Sequence, residues 1–199
     1  MMRKTLDRLI SWTGLIMAVV LAVAGALLIY ASSFVASNVR EQLSQQNITM
    51  PTAAALQTQD QKDALLQFAG QKMENGAQAK AFADHYILVH MNTQSNNKTY
   101  SEVSSEYLKA AKDPNADPAQ VKALGDLRQS LFMGNTLRGL LLNAYAFGTM
   151  GTIALYAGIA ALIAAALLLV LAVLGLRHAK QVDDEVVAAT AAPQPVPTT

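Results

Sequence analysis

Two stretches of this chain contain no Asp, Glu, Lys or Arg: Leu9 to Val39, and Gly139 to Leu176. Each exceeds the ~20 apolar residues that carry a helix across a ~30 Å hydrocarbon core at 1.5 Å per residue. That constraint predicts an all-α membrane protein with two transmembrane helices, residues 9–31 and 151–176. Residues 1–8 precede the first span and residues 177–199 follow the second. Between them, residues 32–150 are expected as a small helical extracytoplasmic domain carried on an outward stalk that continues the spans.

Composition agrees. Of 199 residues, 52% are hydrophobic, 15% charged and 6% aromatic, against about a quarter charged in ordinary soluble domains. A net charge of +1 gives no global field for nucleic acid. No basic stripe with interleaved aromatics is present, so nucleic acid is not an expected partner. Cysteine is absent, which removes disulfides, thiolate catalysis and Cys-built zinc sites.

Orientation follows from the basic residues at the span ends. Arg3, Lys4 and Arg8 precede the first span, and Arg177, His178 and Lys180 follow the second. On the other side only Arg40 and Arg138 lie close to a span. This bias places both termini in the cytoplasm of a multi-pass cell-membrane protein. Met1 to Ser33 could instead be a cleaved signal peptide, but a secretory apolar region is typically about 7–15 residues. The charge-free run to Tyr30 is longer, so a retained anchor is the expectation.

The first helix is expected from Thr5 to Gln46, with Phe34, Val35, Val39 and Leu43 at helical spacing and Asn47–Pro51 ending it. A second fits Asp60–Met73, with Asn75-Gly76 as its stop. A third fits Ala77–Met91, followed by a polar loop over Asn92–Asn97. Thr99 and Glu102 read as a capping box opening a fourth. Asp117 as N-cap and Pro118 as first residue open a fifth, through Leu131. Gly134-Asn135 is expected to interrupt it, with Thr136 capping a last helix that bends near Gly148 and Gly151 and leads into the second span. The tail Gln181–Thr199 is expected to be disordered.

Small residues recur at four-residue steps in both spans: Gly14, Ala18, Ala22 and Ala26 in the first, and Ala157, Ala161 and Ala165 in the second. Such stripes let helix backbones approach closely in lipid; the alternative is that the spans are simply rich in alanine. Neither span carries an ionisable residue, which argues against a proton relay or ion pathway. Trp12, Tyr30 and Tyr156 read as interfacial anchors.

Candidate chemistry is thin. His85 and His90 are five residues apart, about 140° on a 3.6-residue helix, whereas helical metal pairs use three- or four-residue spacing. Glu102 and Glu106 sit one turn apart and read as a solvated face. Asn47-Ile48-Thr49 and Asn97-Lys98-Thr99 match the glycosylation sequon, a pattern common by chance. No P-loop, nucleophile elbow or Ser/His/Asp set occurs. No metal or cofactor is expected.

Several runs resemble a family of actinobacterial two-span membrane proteins to which no activity is attached. They are Phe68-Ala69-Gly70-Gln71, Asn75 to Ala83, Lys98 to Ser104 and, above all, Thr136 to Tyr145. The resemblance covers nearly the whole chain apart from the tail, and the family more often carries Glu where Asn135 stands. Members are at times labelled aromatic ring-opening dioxygenases. That chemistry needs a non-haem iron ligand set, which His85 and His90 do not make.

The resulting expectation is a non-enzymatic integral membrane protein that presents its outer domain to a partner protein or envelope component, or serves as an accessory subunit. The alternative is a metal-dependent enzyme on the outer face, using His85, His90 and a carboxylate such as Asp84. Arg138 is the sharpest single residue, because it is the only charge between Arg128 and Arg177. It is either an anchor that reaches lipid phosphate or half of a bidentate pair locking the last helix to the outer domain. Arg40, with Glu41 beside it, is its expected companion.

Overall fold

A computed structural model describes the backbone of residues 2–191 and the side chains of residues 6–181. Six α-helices carry the fold: α1 Met2–Gln45, α2 Gln59–Leu65, α3 Gly76–Phe82, α4 Leu88–Ser95, α5 Tyr100–Ala110 and α6 Pro118–Ala191. Among the described residues there is no strand, only one antiparallel bridge between Thr49 and Lys72. Leu6–Gln45 within α1 and Pro118–Gln181 within α6 are long and apolar enough to cross a membrane.

The described residues divide into two compact units. One is drawn from Met1–Ser32 and Ile153–Thr199, the other is Ser33–Thr152.

In the first unit, the apolar pair, the helices meet at small residues. Ser11, Ala18, Gly25 and Ser32 are buried at seven-residue steps on α1, as are Gly158, Ala165, Ala172 and Ala179 on α6. Backbone meets backbone at glycine: a Cβ on Gly25 would stand 2.9 Å from the Gly158 carbonyl oxygen, and one on Gly158 would stand 2.9 Å from that of Gly25. Near the other end, a Cβ on Gly14 would lie 3.7 Å from Ala172 Cβ. The large side chains Leu9, Ile16, Val20, Leu27, Ile163 and Leu171 are turned outward.

The second unit, the helical unit, closes around Leu43, Met50, Leu56, Leu65, Met73, Ala79, Ala83 and Leu141. A smaller cluster of Met91, Val103 and Leu131 joins it through Ile87. Three helices start with reciprocal capping boxes, Thr58 with Gln61, Asn75 with Gln78, and Thr99 with Glu102. Each box satisfies two backbone donors that a helix end leaves unpaired.

Several element boundaries differ from the sequence reading, for identifiable reasons. α2 stops at Leu65 and continues as a 3₁₀ turn, Leu66–Phe68; Gly70 then takes φ 71°. This frees Met50 N–H to donate to Gln71 O at 2.8 Å, and Met73 N–H to Ile48 O at 3.0 Å. Asn75-Gly76 is a start rather than a stop, because Gln78 at the third helical position completes the box. Gly76 is needed there: a Cβ would stand 2.8 Å from Tyr145 Cα. The polar run Asn92–Asn97 is mostly helix, closed by Asn96 and Asn97 at φ 55° and 63°, a left-handed conformation asparagine tolerates.

α6 has no break at Gly134, Asn135, Gly148 or Gly151. Those glycines make room instead: Gly134 faces Met91 Sδ and Gly148 faces Gly76. Thr136 is not a cap, since its hydroxyl donates to Phe132 O at 2.8 Å within the helix. Of the tail, α6 takes up the backbone to Ala191; residues 192–199 lie outside the described residues.

Candidate functional site at the Arg138 fork

α3 and α4 are joined by a π-turn, Ala83–Ile87, in which Leu88 N–H donates to the Ala83 carbonyl five residues back. The sequence shows why a wider turn is used. Ala79, Ala83, Ile87, Met91 and Ser95 line the inner face at strict four-residue steps. On a 3.6-residue helix such a row drifts by about 40° per step; one wide turn takes up part of the drift. Phe82 and Tyr86 stack across it, ring centroids 4.9 Å apart.

Arg138 on α6 reaches this turn. Its Nε donates to the Ala83 carbonyl at 3.0 Å, and its Nη2 to Asp84 Oδ1 at 3.1 Å. The Ala83 oxygen therefore accepts two donors, one for each lone pair. Lys80 Nζ holds the other Asp84 oxygen at 2.6 Å and lies 5.4 Å from the Tyr145 ring centroid, within cation–π range. The Lys80 hydrogen bond is the main cause that holds the Asp84 carboxyl below its ordinary range; Arg138 adds to it and partial burial opposes it. Asp84 in turn raises Lys80. One carboxylate shared by two cations makes a lock between α6 and the π-turn, with one positive charge in excess.

The planar fork is thus used, though on one carbonyl and one carboxylate rather than on a single carboxylate. The expected companion is not there: Arg40 Nη2 pairs with Glu74 Oε2 at 2.8 Å on the surface. Glu41 accepts from Gln45 Nε2 at 3.4 Å along its own helix.

The histidines diverge. His85 Nδ1 lies 2.7 Å from Asp60 Oδ2, while His90 Nδ1–H donates to the Tyr86 carbonyl at 2.8 Å and its ring packs on Tyr86. Among the described residues no three His, Asp or Glu stand close enough to hold a metal ion. Glu102 is held low by the backbone N–H of Thr99, to which it caps back, and Glu106 pairs with Lys98 at 2.7 Å. In the two sequons, Asn47 Oδ1 accepts from Lys72 Nζ, and Asn97 closes α4.

Of the four-residue stripes, Ala18 and Ala165 are buried, Gly14, Ala22 and Ala161 are half-buried, and Ala26 and Ala157 are exposed. The seven-residue row that carries the contact was missed. A four-residue step turns 40° past a full circle, whereas seven residues return within about 20°. Trp12, Tyr30 and Tyr156 are exposed on the apolar pair.

No protein-family model, curated protein or solved structure matches the chain.

Proposed function

We propose that this chain is a two-span membrane protein, with both termini cytoplasmic, that presents residues 32–150 on the outer side to a protein or envelope partner. It acts by binding rather than by catalysis. The carrying observation is the contrast in burial. Only 11% of the most apolar 18-residue stretch of each long helix is buried, whereas the helical unit buries its own core. A core helix of a soluble protein would be mostly covered; these need lipid.

A retained first span is supported by the unbroken α1 across Ala24–Ser33 and by the close seat of Gly25 on Gly158. The resemblance to the actinobacterial two-span family belongs to the same reading.

Reporter insertions after Lys180 and at Asn115, in the turn between α5 and α6, test the topology. Opposite sides are expected; the same side for both refutes it. Native-membrane purification in mild detergent tests the binding role, and a species holding nothing but this chain would count against a separate partner.

A further inference from the structure

We propose that the outward face of α6 from Gln129 to Met150 is an interface with a second copy of this chain, formed as a parallel pair of α6 helices. Met133, Leu140 and Phe147 repeat every seven residues, and so do Gln129, Thr136, Asn143 and Met150, in alternating steps of four and three. All seven are exposed, the apolar four by more than half. The apolar row Met133, Leu140 and Phe147 keeps the seven-residue step of a helix that packs on another helix, while the alternate positions are polar except Met150. In this unit the inner face of α6 is already occupied through Leu131, Leu137 and Leu141; the seam is a second, unpartnered one.

Charge decides what covers it. Before the seam, α6 carries an exposed Lys122–Asp126 pair. Along the seam Arg138 is the only charge, and its head is turned to Asp84. A charged partner would bury its charges there without counter-charges, a strongly unfavourable arrangement. The same face on a second copy fits: Met133, Leu140 and Phe147 meet as apolar layers. Asn143 can both donate to and accept from its equivalent, and a single asparagine in such a seam fixes register.

The area is also suitable. With Phe132 beside them, five large side chains offer roughly 100 Å² each. Two copies would together bury roughly 1,000 Å², about where a specific interface begins. Leu140, Asn143 and Phe147 of the seam also form one wall of an uncharged groove of about 410 Å³, closed on the other side by Phe34–Gln46 of α1, which gives room for the partner's apolar side chains.

The parallel sense rests on the proposed topology, which puts both copies the same way up. On that reading lipid does not reach the whole seam, because Met133 stands about 27 Å along the helix from Gly151.

The chain has no cysteine, so a single-cysteine variant can form no disulfide within one copy, and an oxidised product of twice the chain's mass joins two copies. Full-length Thr136→Cys, Leu140→Cys and Asn143→Cys in native membranes should form dimers on mild oxidation several-fold more than Ser130→Cys and Asn135→Cys, which are exposed off the seam. Equal cross-linking at all five, or none at the seam, overturns the proposal. So does a monomer with lipid bound in the groove by native mass spectrometry. Asn115→Cys labelled by an impermeant maleimide reports the side independently. If it labels only from within, the topology fails, while the five-position pattern under a permeant oxidant still decides the dimer.

Discussion

In the apolar pair, α1 and α6 meet over serine, alanine and glycine, with their leucines and valines turned outward. In the helical unit the assignment is reversed: leucine and methionine lie inside, and polar side chains cap the helix ends and join α6 to the π-turn. On the proposed membrane reading, the difference is one of solvent. Water drives large apolar side chains together, whereas lipid does not distinguish a leucine on a neighbouring helix from a lipid tail, so close backbone packing has to supply the contact. Glycine is critical in both units, Gly25 in one and Gly76 in the other, but its loss should have different consequences.

The largest expected effect is at those two positions. Gly76→Val would drive side-chain atoms into the backbone at Tyr145 and should destabilise the helical unit by about 3 kcal/mol. Hydrogen exchange on the full chain should show α3, α4 and α5 losing protection together. Gly25→Val should leave helix content unchanged, because in lipid each helix satisfies its own backbone. It should separate the pair, seen as loss of disulfide formation between cysteines placed at Ala22 and Leu162, which border one groove. If Gly25→Val unfolds α1, the contrast fails.

Next comes Arg138→Leu, which leaves Asp84 short of one donor and the Ala83 carbonyl short of its second. A loss of about 2 kcal/mol is expected, confined to the helical unit. Arg138→Lys should recover part of it, since an ammonium supplies charge without the planar fork. Full recovery by lysine would show that charge alone suffices.

Acid sharpens the same point. Asp84 is held below its unfolded value, so its contribution is complete above about pH 4 and is lost as pH falls through the lowered folded value. The helical unit should loosen on acidification below pH 4, less so in Asp84→Asn, while packing of the apolar pair stays constant. Equal acid sensitivity of both units would argue against the lock.

A smaller loss, about 1 kcal/mol, is expected for Thr99→Ala through its capping bond. An unchanged melting temperature would argue against the cap. Smallest of all should be Ala26→Leu and Ala157→Leu, which point away from the contact; a clear loss of pairing in either would restore the four-residue stripe as the packing row.

How much of this was legible depends on how local the cause is. The two long apolar helices are written in uninterrupted composition, and the Thr99 cap lies within four residues, so both could be read. Asn75-Gly76 was misread because asparagine serves equally at either end of a helix, and Gln78, three residues on, was the signal that decides. The unbroken α6 was hidden because its glycines answer to Met91 and Gly76, distant in sequence. The pairing of Arg138 with Asp84 joins positions 54 residues apart; charge scarcity marked Arg138 but nothing local marked its partner.

The π-turn sets a rule for the chain's tolerance of length changes. A wide turn holds about one residue more than an α-helix would need there, so deleting one of Ala83–Ile87 would leave an unbroken, well-bonded helix. Because the surplus residue is the one the wide turn absorbs, Leu88 onward would keep nearly its present bearing relative to α3, with Met91 still facing its cluster. The helix and the packing beyond it should survive such a deletion, whereas the same deletion inside α3 or α4 would turn everything after it by about 100°. A one-residue deletion should therefore be better borne within this segment than within α3 or α4, and the exposed turn at Asn115, outside any helix, should accept insertions freely.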